Sequence, residues 1–244
     1  MKIIAHRGAS GEFPENSLLA FEQAIVQGAD GIELDVHFHH ASKQFIVIHD
    51  AYVNKTTNGQ GHYNDYSLEQ LTQLALGKNQ YLVTLEQVLA HIAGRLLINI
   101  EIKTTSVSKA DINQQLNLLN QLLLKATQVY GFTFEQFVLS SFNHPMILAC
   151  KNICQHISTA ALIAHSPLDS KQLAQQLHCQ GVNQDIASLT ENFVDDIHSL
   201  GLEVWVYTVD KLEDISICLA FGVDAIFTNF PKNSRDLLKI CKEK

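Results

Sequence analysis

Short apolar runs alternate with longer stretches of helical period along this chain. The short runs predict strands at residues 2–5, 31–36, 45–48, 96–103, 137–140, 158–163, 182–184, 203–208 and 225–228. Between most of them, apolar positions three and four apart predict helices over 17–27, 84–93, 110–130, 145–152, 170–178, 189–200 and 211–221. The stretch NQQLNLLNQLLLKA shows that spacing most clearly. Gly28, Gly94, Gly181, Gly201 and Gly222 each end a helical pattern and stand directly before a strand pattern. Glycine is favoured just past a helix because it takes the left-handed backbone conformation without steric cost. Such joints describe repeated βα units and therefore a parallel sheet. The count and length fit a (β/α)8 TIM barrel, an α/β fold. A doubly wound open sheet is the runner-up, and no Gly-x-Gly-x-x-Gly follows the first strand to support it.

Two segments depart from the repeat. The link from Val36 to Phe45 is too short for a helical crossover, so it predicts a hairpin. His37, His39 and His40 fall at its expected tip, where alternate exposure and no metal ligation are expected. Residues 50–83 are rich in turn signals and hold one short helical stretch, 68–76. A segment of that length predicts an insertion over the active face, within a single domain spanning 1–244.

Composition narrows the partners. The net charge of -8 gives no basic footprint for nucleic acid. The apolar runs are too short for a membrane span or a signal peptide, so no stable membrane insertion is expected. Five cysteines without a Cys-x-x-Cys read as reduced thiols of a cytoplasmic protein, acting as a monomer or homodimer.

The chemistry sits at strand ends. In a barrel the active face lies at the carboxyl ends of the strands. His6 and Arg7 follow the first strand, Glu33 and Asp35 lie in the second, and His49 and Asp50 end the hairpin. Glu101 and Lys103 close INIEIK. Residues two apart in a strand share a face, so Glu33, Asp35 and Glu101 are expected together at the mouth. Three carboxylates in one dry pocket call for a cation, and all-oxygen ligation suits Mg²⁺ or Ca²⁺. Arg7 and Lys103 add the charges of a phosphate site. His6 and His49, from different strands, supply a proton donor and acceptor for diester hydrolysis. Each of these residues has a structural explanation when taken singly; their recurrence at one predicted face is what points to chemistry.

In sequence order, AHRG with PENS, GIELDV, IHD with NKTTNGQG, TLEQVL, NIEIK, SSF, YTVD and GVDAIFTNFP carry a resemblance over nearly the whole chain. The chain resembles the glycerophosphodiester phosphodiesterases of cytoplasmic bacterial type. That resemblance implies His6 and His49 as the acid–base pair and Glu33, Asp35 and Glu101 around Mg²⁺ or Ca²⁺. It implies Arg7 and Lys103 on the phosphate, with sn-glycerol 3-phosphate and an alcohol as products of diesters such as glycerophosphocholine or glycerophosphoethanolamine. The mechanism it implies uses the glycerol 2-hydroxyl as internal nucleophile, giving a cyclic phosphate that water opens. A lysophospholipase D-like activity and a non-catalytic metal- or phosphate-binding barrel are the alternatives. Departures from the family pattern are Ser17 for threonine, Lys55 for arginine, and Tyr207-Thr208-Val209-Asp210 for Trp-Thr-Val-Asn. Trp205 shares strand parity with Tyr207, so both are expected on one aromatic wall of the substrate site.

Overall fold

The structure is a computed structural model and describes residues 1–104 and 108–242. The chain begins with β1 (Lys2–Ala5), α1 (Leu18–Val26), β2 (Gly31–His39) and β3 (Gln44–Val47). The insertion follows, with α2 (Leu68–Leu71), β4 (Ala75–Gly77) and β5 (Gln80–Tyr81). Next come α3 (Leu85–Ile92), β6 (Leu97–Ile102), α4 (Lys109–Val129), β7 (Phe137–Ser141), α5 (His144–Ile153), β8 (Ser158–Ile163) and α6 (Ser170–Leu177). The last elements are β9 (Gly181–Asp185), α7 (Glu191–His198), β10 (Glu203–Tyr207), α8 (Leu212–Ala220), β11 (Ala225–Thr228) and α9 (Pro231–Lys242). Parallel pairing runs β1-β2-β6-β7-β8-β9-β10-β11 and returns to β1, which closes an eight-stranded barrel. β3 pairs antiparallel with β2 outside the ring, as the short link predicted.

Alternation along each strand sets the two sides of the barrel wall. Ile32, Leu34, Val36, Ile98, Ile100 and Ile102 face outward into a core shared with Phe21, Leu85, Val88 and Leu116 of the helices. Burying one such side chain stabilises by about 1.5–3 kcal/mol. Ile4, Val138, Ala160, Trp205, Ala225 and Phe227 fill the inside. Helix starts follow from local capping. Ser17 accepts from the Ala20 amide, and Thr84 with Gln87 and Ser108 with Asp111 form reciprocal boxes.

The structure departs from the sequence expectation in three places. β2 runs to His39, and both His37 and His39 are buried instead of forming an exposed tip. The insertion folds onto that hairpin: His39 Nε2 bonds the Tyr66 carbonyl at 3.0 Å and His37 Nε2 the His49 carbonyl at 3.0 Å. With both faces covered, alternation no longer predicts exposure. Second, the helical stretch of the insertion is only α2, and β4–β5 form a hairpin around Lys78 and Asn79. Third, α9 closes the chain and packs on β1.

Gly8 and Gly28 both hold left-handed backbone, at φ 81° and 76°. A Cβ on Gly8 would lie 2.7 Å from the Ala20 carbonyl carbon, whereas one on Gly28 would meet nothing. Gly8 therefore seats the first strand-to-helix loop against α1. Gly28→Ala should cost about 1–2 kcal/mol from its conformation alone. Gly8→Ala should cost at least about 1 kcal/mol more, because backbone must move as well. Urea unfolding of both variants checks this, and equal losses would show that α1 yields freely at Ala20.

Candidate active site

At the carboxyl ends of the strands a cavity of about 330 Å³ opens, lined on one side by His6, Arg7, Glu33, His49, Asn99, Glu101 and Lys103. The register of β2 with β6 places Asp35 beside Glu101 and Glu33 beside Asn99. Carboxylate oxygens of Glu33, Asp35 and Glu101 lie within 4.8 Å of one another, and all three residues are buried. Burial, reinforced by the Asp35 and Glu101 charges, pushes the Glu33 carboxyl well above its ordinary value. Burial and the Asp35 charge push Glu101 up to about 7. Asp35 goes the other way, to about 2: burial opposes ionisation there, but Lys103 and Arg7 outweigh it. Lys103 Nζ stands 3.0 Å from Asp35 Oδ1 and also pairs with Glu101. Arg7 Nε lies 3.2 Å from Asp35 Oδ2.

These residues can hold a metal ion. Glu33 Oε2 accepts the Arg7 amide at 2.9 Å, but Glu33 Oε1 is buried without a hydrogen-bond partner among the described residues. Asn99 Oδ1 is likewise without a partner. Opposed oxygens around a hard cation at about 2.3–2.4 Å sit about 4.7 Å apart, which the cluster matches.

The two histidines are held differently. His6 Nδ1 donates to Asn229 Oδ1 at 2.8 Å. Asn229 is oriented in turn by Asp210, whose Oδ2 accepts its side-chain amide at 2.6 Å and whose Oδ1 accepts its backbone amide at 2.8 Å. This fixes the oxygen of Asn229 toward His6 and leaves His6 Nε2 as the unprotonated ring nitrogen. Burial first, then the Arg7 charge, lowers the His6 pKa to about 4. His49 Nδ1 lies 3.4 Å from Asp50 Oδ2, and Lys55 holds the other Asp50 oxygen at 3.0 Å. Burial also lowers the His49 pKa, with Asp35 opposing.

The PENS run carries roles that its sequence did not announce. Glu15 takes the Arg7 Nη1 at 3.2 Å, and Asn16 Nδ2 donates to Asp35 Oδ2 at 2.9 Å. Ser17 caps α1. Sequence reasoning missed Glu15, Asn16, Asn99 and Asn229 as site residues. The signal available was the company of PENS and TNFP with the other motifs.

The structure brings His6, Arg7, Glu33, Asp35, His49, Glu101, Lys103 and Tyr207 to this end of the barrel. Trp205 does not come here. It lies one layer deeper, 4% exposed, its ring tilted against that of Phe227 and its indole N–H donating to Glu203 at 2.8 Å. Equal parity gives two residues the same face but not the same depth. Two positions along a strand span about 6.6 Å, and Phe227 forms the floor between Trp205 and the cavity. Phe142 takes the place expected of Trp205, its ring 6.1 Å from that of Tyr207. No residue of 50–83 lines the cavity; the insertion packs instead around Val53, Tyr63, Leu71 and Leu82 and touches the first loop through Lys78 and Glu12.

Comparison with known proteins identifies the family. Residues 6–233 match the model of the glycerophosphoryl diester phosphodiesterase family. A glycerophosphodiester phosphodiesterase of Caldanaerobacter subterraneus is 31% identical, covering 97% of either chain. One from Bacillus altitudinis is 34% identical, covering 94% of this chain and 95% of its own. An Oleispira antarctica phosphodiesterase, solved with the product sn-glycerol-3-phosphate, superposes with a TM-score of 0.88 at 23% identity, covering 98% of this chain and 97% of its own. At that identity the likeness speaks for the fold. On the family match and these relatives, the chain is a phosphodiesterase and belongs to the glycerophosphoryl diester phosphodiesterase family.

Proposed function

We propose that this enzyme hydrolyses glycerophosphodiesters such as glycerophosphocholine and glycerophosphoethanolamine to sn-glycerol 3-phosphate and the free alcohol. His6 and His49 transfer the protons, and Glu33, Asp35 and Glu101 hold Mg²⁺ or Ca²⁺. The observation that carries this reading is the convergence on one cavity of two histidines from different strands with a buried carboxylate triad. A divalent cation bound there supplies charge for the phosphoryl oxygens and relieves the repulsion among the carboxylates.

The protein's own groups do the rest. Arg7 has its Nε and Nη1 committed to Asp35 and Glu15, which leaves Nη2 for a phosphate oxygen. Lys103 contributes a second cation from the strand next to Asp35. One histidine takes the proton of the attacking hydroxyl as the new P–O bond forms. The other delivers a proton to the departing alkoxide as the old P–O bond breaks. With the glycerol 2-hydroxyl as nucleophile the first product is a cyclic phosphate, and water then opens it with the proton roles reversed. An internal nucleophile avoids the entropy cost of fixing a second molecule. The absence of insertion side chains from the cavity wall favours these small diesters over lysolipids. Five unpaired cysteines support a reducing, cytoplasmic setting, and no helix among the described residues is long and apolar enough to cross a membrane.

Purified protein given glycerophosphocholine should release glycerol 3-phosphate, stop with chelator, and recover with Mg²⁺ or Ca²⁺. Turnover that ignores chelator would remove the cation from the reading. His6→Ala and His49→Ala should each lower kcat by about 10²–10⁴-fold; near-normal activity in either variant would remove its role. The restoring cation should also raise the melting temperature of the wild type and fail to do so in Glu33→Gln and Glu101→Gln.

His6 makes a second, independent test. It stays neutral in the fold down to about pH 4, whereas the free imidazole takes its proton near 6.5. Between those values the unfolded chain binds more protons, so acidification removes stability. From pH 7 to pH 5 in chelator, the wild type should lose about 1–2 kcal/mol more unfolding free energy than His6→Gln. Urea titrations at the two pH values measure this, and equal losses would mean that His6 takes up its proton as readily in the fold as in the unfolded chain.

A further inference from the structure

The cavity has two unlike halves. Glu33, Asp35, Glu101, Arg7 and Lys103 gather on the side of β2 and β6. In the closed ring β9 lies opposite β2, and Asp185 ends β9 at the cavity wall. Its neighbours there are Tyr207 of β10, Leu162 of β8 and Phe142 just past β7. Phe142 is 49% exposed and lines the cavity. It meets Tyr207 edge-on, at 89°. The Tyr207 hydroxyl donates to the Ile163 carbonyl at 3.0 Å, which pins the ring and occupies its donor.

Asp185 is not neutralised by protein. Its Oδ1 accepts the Ala187 amide at 2.8 Å, and among the described residues no cation lies within ion-pairing distance of it. The lysine and arginine of the cavity wall, Lys103 and Arg7, are engaged with carboxylates across the mouth. The Tyr207 phenol is raised by burial and next by the Asp185 charge, so that charge is felt inside the wall. A group entering this half meets one carboxylate, two rings at right angles and a leucine. Such surroundings suit a compact, weakly hydrated cation, because ring faces and a carboxylate attract it together. They suit neither an anion, which Asp185 repels, nor a neutral polyol, which leaves the charge without a partner.

We propose that Asp185, Phe142 and Tyr207 form a head-group subsite that selects glycerophosphodiesters whose alcohol carries an ammonium group. This rests on the reading of the cavity as a glycerophosphodiester site: with the phosphate on the β2–β6 side, the departing alcohol extends toward β9.

The test compares kcat/KM for glycerophosphocholine, glycerophosphoethanolamine, glycerophosphoglycerol and glycerophosphoinositol, on the metal-loaded full chain. The two diesters with an ammonium head group should exceed the two with an uncharged polyol head group by about tenfold or more. Asp185→Asn keeps an oxygen for the Ala187 amide while removing the charge, and should bring that ratio to within about twofold. Phe142→Leu keeps apolar bulk and should lower the ratio most for the trimethylammonium diester. Equal wild-type values for all four diesters would overturn the subsite while leaving the activity in place. A loss of the same factor on every diester in Asp185→Asn would also overturn it, since Asp185 would then serve the shared glycerol. Failure to release glycerol 3-phosphate from any of the four would overturn the underlying activity, and the subsite with it.

Discussion

Three buried carboxylates crowd one side of the barrel mouth, and the arrangement around them answers their mutual repulsion. Burial and like charge drive Glu33 and Glu101 upward, whereas Asp35 stays ionised between Lys103 and Arg7. Asp35 is thus the fixed anion of the site. It receives Asn16 and Arg7 from the loop after β1 and Lys103 from just past β6. Removing one partner from a buried charge set typically costs about 3–5 kcal/mol, because the survivor is left uncompensated. The three elements are therefore tied to one another through a single carboxylate. The same geometry leaves Glu33 Oε1 unsatisfied, which is the opening a cation would fill.

Outside that centre, polar chains hold the reactive rings. Asp210 orients Asn229, and Asn229 sets the tautomer of His6. Lys55 and Asp50 stand behind His49. Two of the departures from the family pattern, Asp210 and Lys55, fall in these supports. Both still do positional work here, because a carboxylate can accept from Asn229 and a lysine can pair with Asp50. The left-handed backbone at Arg7 and Asn16, with φ of 56° and 57°, is what turns their side chains toward Asp35. Strain of that kind persists where surrounding contacts over-determine it.

The barrel interior separates binding from stability by depth. The lower layer is Trp205, Val138, Ala160 and Ala225, with Phe227 as the floor of the cavity. The upper layer carries the ionisable groups. Because the lower interior is filled, the cavity is confined to the carboxyl-end half of the barrel, where residues of the upper strand layer and the loops after it line it.

Much of this was legible in the sequence, and for definite reasons. Periodicity and the left-handed Gly28, Gly94, Gly201 and Gly222 were enough for the βα repeat, since those patterns are local; Gly181 instead opens β9, and His178 takes the left-handed cap of α6. Parity along two strands was enough to gather Glu33, Asp35 and Glu101, because alternation is a geometric property of any strand. The motifs supplied His6, His49, Arg7 and Lys103. Depth, coverage and long-range pairing were not legible. Trp205 shares its face with Tyr207 yet lies below the floor. His37 and His39 are buried by an insertion whose docking no local pattern records. Glu15, Asn16 and Asn229 look like ordinary loop residues until the fold places them beside Arg7, Asp35 and His6. The sequence by itself determined which elements form and which groups stand at strand ends. Tertiary structure alone decided how deep each residue sits, which charges compensate one another, and which wall of the mouth Asp185 and Phe142 complete, because these depend on where distant strands close the ring.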